Sequence, residues 1–264
     1  MNYAQIAKEA RIKVLDLIYK AQTSHVGSNM SVIEILTVLY SKVLNIDKSL
    51  SEDRDKFIAS KGWCVATLYW FLSKKGILDW KEVYNKYCDG KSIYIGLAEK
   101  KVRGIEATTG SMGHGLPIGI GMALEAKKNN NKRKVYVLMS DGEQDCGTTW
   151  ESALLGAHHK LNNLIVIVDC NGFQATGKIN EVLKIEPLDK KWKAFNWDVR
   201  KIDGHNFKQI EKALLEPSNK PIVILAKTKK GSGISFMENN LDWHYRNIST
   251  KLFKRAKEEL EYAT

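Results

Sequence analysis

Val135-Tyr136-Val137-Leu138-Met139 is an apolar, partly β-branched run that leads directly into the polar turn Ser140-Asp141-Gly142-Glu143. The same pattern recurs about thirty positions later, where residues 164–168 lead into Asp169-Cys170-Asn171-Gly172. A short apolar run followed by a turn is typical of a buried parallel strand. Because ligands bind at the carboxyl ends of the strands in open α/β sheets, we expect Asp141 and Asn171 to lie at one ligand-binding edge.

The two polar turns offer the atoms that a divalent cation needs. A carboxylate, an amide oxygen and nearby backbone carbonyls are hard oxygen ligands, suited to Mg²⁺ or Ca²⁺ that also holds a diphosphate. The alternative is a pair of ordinary turns at strand ends, because Asp-Gly and Asn-Gly are common turn formers. The rest of the chain decides between these alternatives.

Predicted helices and strands alternate along the chain. Apolar spacing predicts helices at 3–22, 32–40, 118–128, 147–160, 207–215 and 250–262, and another that ends near Trp70. Ser31 and Glu34 match a capping box at the start of the second helix. Strands are predicted at 57–59, 135–139, 164–168, 197–202 and 221–226, and irregular segments at 24–30, 88–107 and 171–189. This alternation predicts an α/β fold with a doubly wound, mostly parallel sheet flanked by helices, in a single domain 1–264.

Length and charge narrow the function classes. A chain of 264 residues with 44% hydrophobic content is long enough for one α/β domain with a substantial core. The net charge of +11 suits anionic sugar phosphates, a diphosphate cofactor or an acidic partner subunit. Nucleic acid is disfavoured, because the lysines are spread along the chain and no aromatic–basic recognition motif stands out.

Membrane and secretion signals are not evident in the sequence. No apolar run approaches the roughly 18–20 residues of a membrane span. The opening Met-Asn-Tyr-Ala-Gln is not a basic-then-apolar signal. The four cysteines lack metal-binding spacing and fit a reduced environment better than a disulfide framework. We therefore expect a cytoplasmic protein with no membrane partner.

A glycine-rich segment at 104–115 and two histidines are further candidates. Glycines around Thr109 and Ser111 let the backbone approach a ligand and present its N–H groups, although a plain flexible loop is the alternative. His25 and His244 each lie in a polar segment. A neutral imidazole there can exchange a proton with a sugar hydroxyl near pH 7, although a solvated histidine is the alternative.

The chain is similar to the amino-terminal half of the transketolase family. Asp141-Gly142, with Asn171 about thirty positions on, resembles the thiamine diphosphate motif of that family. The similarity runs from about His25 to His244 and is nearest to the separately encoded amino-terminal subunit of a split transketolase. Further matching stretches are 25–28, 53–57, 60–62, 104–115, 150–151, 157–161, 203–205, 226–228, 231–233, 236–240 and 243–244.

The resemblance implies a thiamine diphosphate site with Mg²⁺, for which Ca²⁺ and Mn²⁺ are alternatives. Asp141 and Asn171 would bind the metal through their side chains and Phe173 through its carbonyl oxygen. Two diphosphate oxygens and a water would complete the octahedron that Mg²⁺ requires. The same resemblance implies cofactor contacts from a larger set of residues, namely Gly110, Ser111, Met112, Gly142, Glu143, Lys227 and His244.

The resemblance also assigns His25 and His244 to the rim of the active site as catalytic residues that face the substrate. Lys227 would meet phosphate charge as a point cation, whereas Lys61 is expected on the solvated surface. His158, His159 and His205 are expected to be structural.

Several positions depart from the family pattern. Trp63 stands where transketolases usually carry a histidine that faces phosphate or substrate; we count it among the cofactor-binding residues, but an indole cannot titrate. Gly96 lies where a Gly-His-Pro motif is expected, Cys146 replaces a glutamate of the subunit interface, and Ser140 replaces a glycine. A related ketol transfer with an unusual donor or acceptor is therefore expected rather than ordinary ketose-phosphate transketolation.

The pyrimidine-binding (Pyr) domain of the family has no counterpart in this sequence. The resemblance therefore implies a partner chain, a carboxyl-terminal transketolase-like subunit that carries the Pyr domain, in a heterotetramer that moves a two-carbon ketol unit between sugars or sugar phosphates. One alternative is a subunit of a 1-deoxyxylulose-phosphate synthase or 2-oxo acid decarboxylase, which the tail 231–244 disfavours. Another is a non-catalytic scaffold, which Trp63, Gly96 and Cys146 favour but the retained Asp141 and Asn171 oppose.

Overall fold

The computed structural model describes residues 2–262. Its sheet contains five parallel strands in the order β1-β2-β3-β5-β4. The strands are β1 Lys56–Ala59, β2 Val135–Ser140, β3 Leu164–Cys170, β4 Asp198–Asp203 and β5 Ile222–Lys227. All five run in the same direction, so their carboxyl ends meet at one edge, and the doubly wound parallel sheet expected from the sequence is confirmed.

Helices cover both faces of this sheet. They are α1 Tyr3–Ala21, α2 Val26–Met30, α3 Ile33–Val38, α4 Val65–Lys74, α5 Trp80–Lys86, α6 Gly115–Lys128, α7 Gly147–His158, α8 Ile179–Val182, α9 Leu188–Ala194, α10 Phe207–Leu215 and α11 Thr250–Tyr262. Three short 3₁₀ turns complete the fold. Two of them follow β1 and β2, at Gly62–Cys64 and Asp141–Asp145, and the third precedes α11, at Leu241–His244.

The core has two layers because successive strand residues point to opposite faces. In β2, Tyr136 and Leu138 pack with α1, α3 and α4, whereas Val135 and Val137 pack with α6 and α7. Every residue of β2 and β3 except the last of each is buried. Only Ser140 and Cys170, at the strand tips, are partly open, which places the following polar turns at the border between core and solvent.

The segment 24–30, expected to be irregular, is instead mostly helical. Residues Val26–Met30 form α2, and His25 precedes it in the left-handed backbone conformation with φ 69°. All five residues of α2 are buried. The prediction was wrong because a short, glycine-bearing and polar segment has too little periodicity to show a helix that tertiary packing stabilises.

The capping box predicted for Ser31 and Glu34 was also wrong. Helix α3 begins at Ile33 and has no side-chain cap. Ser31 instead donates to Asp169 at 2.7 Å, and Glu34 pairs with Arg11 and His205. A capping box does form elsewhere, where Ser140 and Glu143 close the turn after β2. The serine–glutamate spacing of a capping box therefore forms one at residues 140–143, beside the candidate site, and not at residues 31–34.

The remaining boundaries differ only in detail. Helix α6 begins three residues before the predicted 118, and the loop 171–189 contains α8 and the start of α9. The segment 88–107 has neither helix nor strand, as expected. Within the described residues, no helix combines the length and apolar character that a membrane crossing requires.

Candidate active site

A cavity of about 390 Å³ opens at the carboxyl ends of β1, β2 and β3. Its size lies within the range of small-molecule sites. Most of the residues that line it follow strand tips or belong to glycine-bearing loops. They are Ser28, Ser60, Lys61, Gly62, Trp63, Gly110, Met112, Ser140, Gly142, Glu143, Asn171, Phe173, Gln174, Ala175, Thr176, Lys230, His244 and Tyr245.

Asp141 lies beside this cavity with its carboxylate almost fully buried, at 2% exposure. Its two oxygens accept hydrogen bonds from the backbone N–H groups of Gly142, at 3.0 Å, and Gly172, at 2.7 Å. Among residues 2–262 it forms no ion pair. Burial, followed by the nearby charge of Asp169, raises the pKa of Asp141 to about 7. A buried carboxylate without a compensating cation is a site where a bound metal ion would be favourable.

Asn171 stands beside Asp141 at the tip of the next strand. Its amide nitrogen donates to Asp169 at 2.9 Å, and its Oδ1 accepts from the backbone N–H of Phe173 at 3.1 Å. The strand register pairs Ser140 with Asp169, which aligns the two turns. The sequence-predicted pair, Asp141 and Asn171, is thus brought to one edge of the sheet, with the backbone of Phe173 adjacent.

Asp169 is a third polar residue at this edge, and it contacts Asn171. It is fully buried and accepts hydrogen bonds from Ser31, Asn171, Thr228 and the ammonium of Lys61. Burial alone would raise its pKa, but the attraction of Lys61 and the hydrogen bonds lower it below the usual range. Lys61 is therefore a buried ion-pair partner, and the expectation that it lies on the solvated surface was wrong.

Glu143 organises the glycine-rich side of the cavity. Its buried carboxylate accepts from the Ser60 hydroxyl, from the backbone N–H of Ser140 at 2.7 Å and from the backbone N–H of Gly113 at 3.2 Å. The Ser60 hydroxyl in turn accepts from the N–H of Gly115 at 3.1 Å. Burial raises the pKa of Glu143 despite these hydrogen bonds. This network fixes the loop 110–115 against the tips of β1 and β2.

Close backbone approach explains the glycines of this loop. A Cβ on Gly62 would lie 2.9 Å from the backbone of Gly110, and one on Gly115 would collide with Ser60 at 2.3 Å. Gly110 has φ 136° and leaves no room for a Cβ beside Leu97. The chain can therefore bring two loops into contact at the cavity wall only without side chains at these positions.

His25 and Trp63 form a stacked pair at the cavity. Their rings are parallel within 9° with centroids 4.1 Å apart, and His25 is 5% exposed. The Nδ1 of His25 is 2.7 Å from the Ser24 hydroxyl, whereas its buried Nε2 has no hydrogen-bond partner among the described residues. Burial, with the charges of Lys230 and Lys61, lowers the pKa of His25 to about 4. The imidazole is therefore neutral at pH 7.

His244 joins this group from the opposite side. Its ring meets His25 edge-on with centroids 4.8 Å apart, and its carbonyl accepts from the His25 backbone N–H at 3.0 Å. Lys230, which is 1% exposed, donates to Nδ1 of His244 at 2.9 Å. Burial and the charge of Lys230 lower the pKa of His244 to about 3. The two histidines predicted for the rim are thus close together and uncharged.

Three residues that the sequence predicts as cofactor contacts are exposed rather than buried. Ser111 is exposed and does not line the cavity. Met112 lines it but is half exposed. Lys227 is exposed and lines a second cavity of about 520 Å³ together with Asp141, Cys170 and Lys201. Contact between Lys227 and a ligand in the first cavity stays a prediction.

The departures from the family pattern have different locations. Trp63 lines the cavity and is 40% exposed. Gly96 lies beside Cys88 and is not among the lining residues. Cys146 is partly buried against Gly113, where a Cβ on the glycine would lie 2.7 Å from the cysteine Cβ. Trp63 and Ser140 are therefore the two departures that line the cavity, and Trp63 contributes the larger side chain.

Sequence reasoning missed Asp169, Lys230, Ser60 and Asn29. Asn29 donates to the carbonyls of His25, at 3.0 Å, and Trp63, at 3.1 Å, so it holds the two ring-bearing segments together. For Ser60 a signal existed, because residues 60–62 are one of the stretches that match the family. The other three act through partners far away in sequence, which no local pattern shows.

Comparison with known proteins agrees with this geometry. The family described as "Transketolase, thiamine diphosphate binding domain" matches residues 3–263. The chain is 36% identical over 259 residues to one subunit of the apulose-4-phosphate transketolase of Phocaeicola vulgatus, covering 96% of this chain and 92% of that protein. It is 34% identical to the 6-deoxy-6-sulfo-D-fructose transketolase subunit SqwG of a Clostridium species, covering 97% and 94%.

A solved transketolase from Campylobacter jejuni has the same fold. It superposes with a TM-score of 0.91 at 28% identity, covering 99% of this chain and 43% of that one. The chain therefore spans less than half the length of this solved transketolase.

Proposed function

This chain belongs to the transketolase family, in which it matches the thiamine diphosphate binding domain, and we propose that it is the amino-terminal subunit of a two-chain, thiamine diphosphate-dependent enzyme. In this proposal the complete enzyme transfers a two-carbon ketol unit between a sugar donor and a sugar acceptor. The observation that carries it is the buried, uncompensated carboxylate of Asp141 beside Asn171 at the edge of the cavity.

The donor set supports a divalent ion at this edge. Asp141 offers a carboxylate, Asn171 an amide oxygen and Phe173 a backbone carbonyl, which are the hard ligands that Mg²⁺ prefers. Within residues 2–262 no three His, Cys, Asp or Glu side chains gather into a metal-binding group. The remaining ligands would therefore be diphosphate oxygens and water, and Mg²⁺ is the metal we propose, with Ca²⁺ or Mn²⁺ as substitutes.

The cavity walls would hold the rest of the cofactor. Gly142, Glu143, Gly110 and Met112 line the cavity next to the proposed metal site, where backbone N–H groups can meet diphosphate oxygens. Ser111 and Lys227 belong to the proposed contacts only if a bound cofactor extends beyond this cavity. When bound, thiamine diphosphate supplies the carbanion chemistry that breaks and forms the carbon–carbon bond.

His25 and His244 are the residues we propose for proton transfer with sugar hydroxyls. The depressed pKa of each imidazole keeps both neutral at pH 7. Because Lys230 donates to Nδ1 of His244, the ring proton of His244 lies on Nε2. The Nε2 of His25 has no partner among residues 2–262, so a substrate hydroxyl that reaches it would complete its hydrogen bonding.

A partner chain is part of the proposal. The described residues contain one five-stranded sheet, and the chain spans 43% of the solved transketolase. Two of its relatives are each named as one subunit of an apulose-4-phosphate transketolase. We propose that the Pyr domain is on a second chain, that the two kinds of chain form a heterotetramer in the cytoplasm, and that the substrate is a sugar or a sugar phosphate.

Calorimetric titration of thiamine diphosphate tests the proposal. The chain is mixed with the partner chain and titrated with Mg²⁺ or with a chelator present. We expect binding that requires Mg²⁺ and that Asp141→Ala abolishes. Asp53→Ala, at the opposite end of the sheet, should leave it unchanged. Absence of binding to the wild-type complex would contradict the enzyme assignment and favour a scaffold. Retained tight binding in Asp141→Ala would remove the metal assignment.

Donor use is then profiled with the same complex across phosphorylated, unphosphorylated and nucleotide-linked ketoses. We expect at least one ketose to transfer a two-carbon unit to an aldehyde acceptor. A complex that binds the cofactor but uses no ketose donor would contradict ketol transfer.

A further inference from the structure

Four rings, which we call the aromatic wall, pack together at the cavity: Trp63, His244 and Tyr245 line it, and the buried His25 contacts all three. His25 stacks flat on Trp63, and His244 and Tyr245 meet His25 edge-on with centroids 4.8 and 5.4 Å away. Trp63 and Tyr245, at 40% and 64% exposure, are the accessible members. The wall therefore presents a large aromatic surface at the mouth of a cavity whose inner end is polar.

The position of Trp63 is fixed by the backbone around it. Trp63 lies in the 3₁₀ turn Gly62–Cys64, and its carbonyl accepts from the buried Asn29, which also holds the His25 carbonyl. The side-chain oxygen of Asn29 accepts from the backbone N–H of Thr67 at 3.0 Å. Since His25 covers one face of the indole, the exposed area belongs to the opposite face and the edge.

The aromatic wall carries no positive charge at neutral pH. Burial and the neighbouring lysines hold the pKa values of His25 and His244 at about 4 and about 3. The lining residues that are cationic are Lys61, which pairs with Asp169, and Lys230, which donates to His244. Both lysines are buried. A charged group lying on Trp63 would thus lose water without gaining an ion pair from the described part of this chain.

We propose that Trp63 is the specificity-determining residue of the site, and that it selects acceptor aldehydes that lay a C–H surface, rather than a hydroxyl, on the indole. This inference rests on the proposed function, because it concerns the acceptor of the same ketol transfer. The substrate class it names is a sugar aldehyde that is deoxygenated or carbon-branched next to its carbonyl carbon.

The physical basis is the difference in free energy between placing a C–H group and placing a hydroxyl on an aromatic face. A methyl or methylene group gains dispersion contacts and removes apolar surface from water. A hydroxyl in the same place loses a hydrogen bond to water that the ring does not replace well. Differences of one such group change kcat/KM by roughly 10- to 200-fold in enzyme pockets.

The matched probes are propanal and glycolaldehyde, which have the same number of heavy atoms and differ by a methyl in place of a hydroxyl. In each reaction the bond between C2 and C3 of the donor breaks, the C3 hydroxyl gives up its proton, and the rest of the donor leaves as an aldehyde two carbons shorter, which frees a two-carbon ketol unit. That unit forms a carbon–carbon bond to the aldehyde carbon, and the aldehyde oxygen takes up a proton. The donor is the ketose with the highest turnover in the donor profile, used with the complete complex. The measured quantity is kcat/KM for propanal divided by kcat/KM for glycolaldehyde.

Trp63→His is expected to lower this ratio about 10-fold relative to the wild type, because an imidazole is smaller and can hydrogen-bond a hydroxyl. Trp63→Phe keeps an aromatic face and should stay within about threefold of the wild type. Trp80→Phe, remote from the cavity and packed on Trp70, should leave the ratio unchanged. Should Trp63→His fail to fold, Trp63→Gln replaces it, with the same expected direction because its amide can hydrogen-bond a hydroxyl.

The outcomes separate this inference from the proposed function. A ratio that stays within about twofold of the wild type in Trp63→His or Trp63→Gln would overturn the role of Trp63 while ketol transfer stands. A wild-type complex that transfers ketol to neither aldehyde and binds no thiamine diphosphate by calorimetry would instead overturn the proposed function. A lowered ratio, measured with thiamine diphosphate at saturation so that a change in cofactor affinity does not enter it, would support the inference.

Discussion

The tips of β2 and β3 carry two buried aspartates in very different surroundings. Asp169, near the end of β3, accepts from Lys61, Ser31, Thr228 and Asn171, and its charge is compensated inside the protein. Asp141, just after β2, accepts only backbone N–H groups among the described residues. Burial therefore raises the pKa of Asp141, whereas the ion pair lowers that of Asp169.

The two buried lysines repeat this contrast. Lys61 has a carboxylate partner, whereas Lys230 contacts the neutral Nδ1 of His244. Burial and the charge of Lys61 lower the pKa of Lys230 to about 8. One aspartate and one lysine thus neutralise each other and stabilise the fold. Asp141 and Lys230 feel the charges of their neighbours but form no direct ion pair among the described residues, as expected for groups whose partners arrive with a ligand.

Breaking the compensated pair should have the largest effect on stability. Lys61→Met leaves the carboxylate of Asp169 buried without a cation, and we expect the free energy of unfolding to fall by about 3–5 kcal/mol. Urea denaturation of the isolated chain measures this change. Lys227→Met, at the exposed tip of β5, is the matched control and should change stability by less than about 0.5 kcal/mol. Equal effects of the two substitutions would contradict the structural role of the Lys61–Asp169 pair.

The buried Lys230 should make the free energy of unfolding depend on pH. The pKa of Lys230 is about 8 in the folded chain and about 10.5 in the unfolded one. Below pH 8 both states are charged and the full cost of burying the ammonium applies. Above pH 10.5 both are neutral and that cost is gone. Relative to Lys230→Met, the wild-type chain should therefore gain about 3 kcal/mol of stability between these pH values.

Denaturant midpoints at pH 7.5 and pH 10.5 check this prediction, because titration of the other groups cancels in the comparison with Lys230→Met. Lys229→Met removes the exposed neighbour and should show no such difference from the wild type. A wild-type chain that loses stability relative to Lys230→Met as the pH rises would show that Lys230 has a carboxylate-like partner after all.

Asp141→Asn should have the smallest effect on the ligand-free chain. It removes a buried charge but replaces one of the two oxygens that accept backbone N–H groups by an NH₂ group, so we expect the free energy of unfolding to change by no more than about 2 kcal/mol. With Mg²⁺ and thiamine diphosphate at about 100 times the dissociation constant, the wild-type complex should gain about 2.7 kcal/mol and the variant nothing. Thermal denaturation with and without both ligands measures the gain. A strongly destabilised ligand-free variant would mean that Asp141 is structural, as Asp169 is.

The sequence was informative where local pattern sets local structure. Apolar runs located β2 and β3, and the turns after them located Asp141 and Asn171, because a parallel strand and its carboxyl-end turn are both short-range features. The wrong prediction for Lys61 has the opposite origin. Its partner Asp169 lies 108 positions away, and no composition argument distinguishes one buried lysine among the 41 Lys and Arg residues.

The aromatic wall was only partly predictable. His25, His244 and Trp63 were singled out by resemblance, but their stacking depends on α2, which the sequence pattern did not show, and on Asn29. Lys230 was missed because it follows an exposed lysine in the sequence, and only its contacts with Gly27 and His244 in the folded chain distinguish the two. Contacts between distant segments, rather than local propensity, decide such positions.

A crystal structure of the complex of both chains, grown with thiamine diphosphate and Ca²⁺, tests the central contrast most directly. The account predicts an anomalous calcium peak between the Asp141 carboxylate and Oδ1 of Asn171, about 2.3–2.6 Å from each, and none at Asp169. A peak at Asp169 with Lys61 displaced, or a bound cofactor whose diphosphate lies away from Asp141 and Asn171, would contradict it.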